Sequence, residues 1–120
     1  MTNRKKKVVI VGGGLAGLAL AMKFCERNGE ATVVSYQSLK RSHSVCAQGG
    51  INAAIDAKNE GDTPEKHFYD TIKGGDFLAH QPLVRDMCHQ APTIINLMDR
   101  MGVAFNRTGE GHLDFRRFGG

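Results

Sequence analysis

Apolar residues follow two rhythms along this chain, and each changes where a turn intervenes. Residues 7–11, Lys-Val-Val-Ile-Val, form an unbroken β-branched run, the pattern of a strand buried on both faces of a parallel sheet. Leu18, Ala19, Met22 and Cys25 then recur at helical spacing between Leu15 and Arg27. Asn28-Gly29 stops that helix, because glycine tolerates the left-handed conformation. Residues 31–35, Ala-Thr-Val-Val-Ser, read as a second strand, which completes a β-α-β unit over residues 7–35.

Residues 36–40 have no period. Residues 51–55 read as a short strand, and 56–62 as a polar loop. Thr63 is the expected N-cap of a helix that begins at Pro64 and runs to Lys73, with Phe68 and Ile72 on one face and Gly74-Gly75 as its end. Residues 82–90 predict a further helix with Leu83, Val84, Met87 and Cys88 inward. Residues 92–101 predict another, with Ile94, Ile95, Leu97 and Met98 inward and Gly102 closing it. Short strands at 103–105 and 113–115 flank a turn at 106–111, the pattern of a hairpin. The fold class is α/β, the beginning of a doubly wound, Rossmann-like sheet.

The helix that follows the first strand opens on Gly12-Gly-Gly-Leu-Ala-Gly17, a Gly-x-Gly-x-x-Gly spacing. Gly12 permits the tight strand-to-helix turn, Gly14 lets backbone approach a pyrophosphate, and Gly17 lets the helix pack closely on the sheet. The helix N-terminus, with Leu15 and Ala16, offers free N–H donors to phosphates. A plain glycine turn would use the same residues, but strand before, helix after and second strand in step favour dinucleotide binding. The acid that would hold an NAD ribose at the end of the second strand is absent: Ser35 stands there, followed by Tyr36 and Gln37, while Glu30 precedes the strand. NAD loses support and a flavin dinucleotide stays open.

Composition narrows the picture a little. At 120 residues the chain can bury one small core, and 41% hydrophobic with 23% charged residues is ordinary for a globular protein. No run of eighteen apolar residues offers a membrane span. The net charge of +4 draws on Arg4-Lys5-Lys6-Lys7, which reads as a solvated basic tail over residues 1–6 rather than a nucleic-acid contact. That basic start followed by Val8 to Met22 imitates a secretory signal, against which stand the four glycines at dinucleotide-binding positions. Cys25, Cys46 and Cys88 have no paired spacing that would indicate a metal site or a disulfide framework, so a reducing compartment is implied.

Residues 41–50, Arg-Ser-His-Ser-Val-Cys-Ala-Gln-Gly-Gly, join a lone histidine to a glycine-rich exit. His43 is either a loop histidine bonded to backbone or a point of cofactor attachment. Four stretches decide between them: VVIVGGGLAGLALA, KRSHSVCAQGGINAA, HFYDTIKGGDFLAHQPLV and MGVAFNRTGEGHLDFRRFGG. Through them the chain resembles the flavoprotein subunit of succinate dehydrogenase and fumarate reductase over essentially its whole length. SVCAQGGIN and the final stretch look most like the bacterial branch coupled to menaquinone.

The resemblance implies that residues 1–120 are the N-terminal part of an FAD-binding domain, with residues 36–50 its flavin-attachment loop. His43 would carry FAD covalently, through a ring nitrogen bonded to the 8α carbon. Ser42, Ser44, Ala47, Gln48, Gly49 and Gly50 would line the flavin, and Gln48 and Gly49 would also face a substrate carboxylate. Phe118 would press on the central carbons of succinate or fumarate. For Gln48 and Phe118 a loop amide and a core ring remain equal alternatives, and Cys46 is expected to pack beside the loop.

In that family a hydride passes from succinate to the flavin while an arginine takes a proton. Electrons leave through an iron–sulfur subunit to a quinone site in a membrane cytochrome b anchor. The implied location is peripheral, on the cytoplasmic side of the inner (cytoplasmic) membrane, with no nucleic-acid partner. No catalytic residue of the family falls within these 120 residues, since the remaining strands, the capping domain and the arginine are expected after Gly120. The piece alone is therefore expected neither to oxidise succinate nor to fold stably. Fumarate reduction shares the same site. L-aspartate oxidase has a similar loop without the histidine, and a non-catalytic nucleotide-binding remnant is the alternative from another class.

Overall fold

A computed structural model describes residues 5–47 and 50–116. They fall into two compact units, Met1–Gly49 and Gly50–Gly120. The first is built on two parallel strands, β1 (Lys7–Val11) and β2 (Glu30–Val34), paired in register from Lys7 opposite Glu30 to Val11 opposite Val34. The pairing extends one step past each end, where the Glu30 N–H donates to the Lys6 carbonyl and the Gly12 N–H to the Val34 carbonyl, each at 2.8 Å. Helix α1 (Leu15–Glu26) crosses between them and ends at the expected Asn28-Gly29 pair, although the residue in the left-handed region is Asn28, at φ 60°, and not Gly29. Ile10 is the buried centre of this unit.

Beyond β2 the aperiodic stretch folds into a 3₁₀ turn (Leu39–Arg41) and a single helical turn, α2 (His43–Cys46). The chain of donors is local: Arg41 N–H to the Ser38 carbonyl, Val45 and Cys46 N–H to the Ser42 carbonyl, and Ala47 N–H to the His43 carbonyl.

The second unit packs α3 (Pro64–Gly74) on α4 (Gln81–Arg100). Thr63 caps α3 as the sequence predicts, its Oγ1 accepting from the Lys66 N–H at 3.2 Å. Ile72, Cys88 and Ile95 form the core here, with Ala53 and Ala54 buried as well.

Four expectations need correction. Residues 51–55 form no strand, although Ala53 and Ala54 are buried. The two helices expected either side of Pro92 are one continuous helix, α4. Proline removes the N–H that would bond the Cys88 carbonyl, yet the inward stripe Val84, Cys88, Ala91, Ile95 and Met98 stays in phase across it, so packing on α3 favours continuity. That stripe is narrow, because α4 faces one helix. Leu83 and Met87, expected inward, are 65% and 55% exposed, and Ile94 is exposed too.

The expected hairpin shrinks to one antiparallel bridge between Arg107 and Leu113, closed around Gly111 at φ 89°. Two backbone bonds flank it, Thr108 N–H to the His112 carbonyl and Asp114 N–H to the Asn106 carbonyl, each at 2.9 Å, and side chains add to them. Arg107 reaches Asp99 and the Gly111 carbonyl, and Lys58 reaches Asp114 and the Phe115 carbonyl.

Candidate functional site

The carboxyl ends of β1 and β2 open into a cleft of about 570 Å³, within the usual range for a small-molecule site. Its floor is the turn from Val11 through Gly12, Gly13 and Gly14, one wall is Val34 to Gln37, and the opposite lip is Ser42, His43 and Ser44. Two segments that the sequence keeps apart, the glycine turn and the histidine loop, thus face one space.

Each glycine of the turn has a distinct reason. Gly12 has φ 119°, a conformation that L side chains rarely adopt, and a Cβ there would meet nothing within 4 Å. Gly17 lies against the turn itself: a Cβ would stand 2.0 Å from the Gly12 carbonyl oxygen. Gly14 is the N-cap of α1, and its carbonyl accepts the first helical bond, from Leu18 N–H at 3.1 Å. Leu15, Ala16 and Gly17 therefore have N–H groups with no acceptor inside the helix. The Leu15 N–H donates to Ser44 Oγ at 3.0 Å, which ties the histidine loop to the helix terminus.

Gly13 escapes the motif's spacing, yet it is buried and a Cβ on it would come 2.1 Å from Leu39 Cδ2 and 2.9 Å from Ser35 Oγ. Three successive glycines were the available signal. Tyr36 and Gln37 also line the cleft without having been expected to, and nothing in an aperiodic stretch marks them in advance.

Ser35 is half-buried in the wall, at the place where a ribose acid is missing, and no carboxylate lines the cleft among the described residues. Open glycine backbone, a helix N-terminus and no opposing negative charge fit a pyrophosphate. The imidazole of His43 is exposed at the lip. Ala47 follows α2 and lies outside the cleft lining, and Gly50 opens the second unit. Cys46, expected to pack, is exposed, because the one-turn α2 has nothing against that face. Gln48, Gly49 and Phe118 lie outside the described residues.

Fold and cleft together define a dinucleotide-binding β-α-β unit. Residues 7–120 match the family described as FAD binding domain, and the chain belongs to that family. It is 60% identical over 116 residues to the succinate dehydrogenase flavoprotein subunit of Bacillus subtilis, covering 97% of this chain and 20% of that protein. The mitochondrial succinate dehydrogenase [ubiquinone] flavoprotein subunit of Oryza sativa is 40% identical over 112 residues, covering 93% of this chain and 18% of that protein. Among solved structures, the Sdh1 complex of Mycobacterium smegmatis in the apo form superposes with a TM-score of 0.88 at 32% identity, covering 97% of this chain and 20% of that one. This chain spans about one fifth of the length of these relatives. Its α/β fold, with a small parallel sheet, corresponds to their FAD-binding, Rossmann-like region.

Proposed function

We propose that this chain is the N-terminal part of a succinate dehydrogenase flavoprotein subunit, which oxidises succinate to fumarate and passes the electrons through an iron–sulfur subunit to a membrane quinone. The observation that carries this reading is the convergence of Ser42, His43 and Ser44 with the glycine turn on one cleft. The names of the relatives support the substrate and the complex.

In this reading the N–H groups of Ala16 and Gly17 and the backbone of Gly12 and Gly14 hold the FAD pyrophosphate. Ser35 meets the ribose, and His43 bears the covalent bond. FAD, when bound, supplies the acceptor for a hydride. Gln48, Gly49 and Phe118 would face the dicarboxylate. The chain would sit peripherally on the cytoplasmic side of the membrane against a cytochrome b anchor, and none of the helices among the described residues is long and apolar enough to cross a membrane.

The test uses the full-length subunit, precipitated in acid and washed free of loose cofactor. Yellow flavin fluorescence should stay in the pellet, and His43→Ser should remove it while leaving FAD releasable from the soluble protein. Pellet fluorescence that survives His43→Ser would place the bond elsewhere. Succinate-dependent dye reduction by the same preparation tests the activity, and its absence in a flavin-loaded complex would reject the substrate.

A further inference from the structure

The geometry points to Gln37 as a positioning residue for flavin attachment at His43. This rests on the reading of His43 as the attachment point and concerns what aims it. His43 begins a helix of one turn, preceded by a 3₁₀ turn of three residues. Pieces this short do not hold a direction by themselves, since helix nucleation is unfavourable. Their orientation must come from outside bonds.

The described residues supply two polar ties. Ser44 Oγ accepts from the Leu15 N–H at 3.0 Å on the far side of His43. On the near side Gln37 Nε2 donates to the Arg41 carbonyl at 2.9 Å. That second bond closes a ring over residues 37–41 and fixes the carbonyl immediately before Ser42, whose extended backbone (φ −64°, ψ 151°) turns the chain into His43. Leu39, inside the ring, lies against Gly13 and so seats the ring on the floor of the cleft. Gln37 also stands in the stretch where other dinucleotide folds carry their ribose acid, but its amide N–H is directed to the loop carbonyl.

Attachment replaces a C–H of the flavin 8-methyl group by a C–N bond to His43. The imidazole gives up its N–H proton, the methyl group gives up one proton, and the two electrons released pass to dioxygen or a quinone. Such a bond forms only when the nitrogen is held near the carbon, and a misplacement of about 1 Å costs on the order of 10²-fold in rate. Gln37 therefore sets how fast bound FAD becomes covalent.

The experiment follows FAD added to the flavin-free full-length subunit, expressed under riboflavin limitation, and measures total bound FAD and acid-stable pellet fluorescence against time. Gln37→Met, which keeps the length and loses the donor without adding a charge to the cleft, is expected to slow attachment per molecule of bound FAD on the order of tenfold. Gln37→Lys, which restores a donor, should recover part of the rate. Equal attachment rates per bound FAD in Gln37→Met and the unaltered protein overturn the proposal, and so does a rate that falls only in proportion to the FAD bound, which would make Gln37 a cofactor ligand. No pellet fluorescence in the unaltered protein removes the His43 reading together with this one, which distinguishes the two failures.

Discussion

Two glycines of the same motif are needed for different reasons, and their alanine variants should separate. On Gly17 the added methyl meets backbone, the Gly12 carbonyl oxygen at 2.0 Å, which cannot swing away. Gly17→Ala should cost about 1–3 kcal/mol of stability through overpacking, read as a fall in Tm of the full-length protein even without FAD. On Gly14 the methyl meets only the Ser44 hydroxyl at 3.3 Å. Gly14→Ala should therefore keep Tm within the change expected for a mild contact, yet weaken FAD binding in a fluorescence titration, because the methyl crowds the backbone that would approach the pyrophosphate. A loss of Tm in Gly14→Ala equal to that of Gly17→Ala would show that both act by packing alone. Gly12, Gly14 and Gly17 were legible because the motif's spacing encodes the turn. Gly13 was not, since its crowding comes from Leu39 and Ser35, which no local pattern connects to it.

Among the elements, β1, α1, β2 and α3 were legible because each has its own punctuation: the β-branched runs, the glycine turn, Asn28-Gly29, and Thr63-Pro64. The failures occur where a partner decides. Pro92 predicts a break from local chemistry, whereas the stripe through Cys88 and Ile95 rewards an unbroken α4 against α3. The exposed neighbour of that stripe gives a paired test. Ile95→Ala should cost about 2–4 kcal/mol as a buried large-to-small change, while Ile94→Ala, one residue away and exposed, should cost under about 1 kcal/mol. Urea unfolding of the full-length protein, comparing midpoints at a common slope, checks both. Similar losses would mean that α4 is covered on both faces in the longer protein. The reduced hairpin has the same origin, since residues 103–105 and 113–115 were read as short strands and only the bridge between Arg107 and Leu113 formed.

For the molecule as a whole, the first unit carries the informative imbalance. Parallel strands are normally buried on both faces, yet Val11 is 88% exposed, Val9 is 65% exposed, and Val34 is exposed on β2. Helix α1 contributes no buried residue, and its Leu15, Leu18 and Leu20 are exposed. Six such side chains are worth about 1.5–3 kcal/mol each when fully buried. With about half of that outstanding, the shortfall is about 5–10 kcal/mol, the size of a domain's entire stability. These 120 residues alone should therefore lack a cooperative transition. Their far-UV circular dichroism should drift with urea, and a dye that reports exposed apolar surface should bind before any denaturant is added. A sharp transition centred above about 2 M urea, where a small domain has several kcal/mol of stability, would show that the β-α-β unit closes on itself. The full-length subunit under the same conditions should unfold sharply and bind the dye weakly, because the apolar faces of β1, β2 and α1 then have something to pack against.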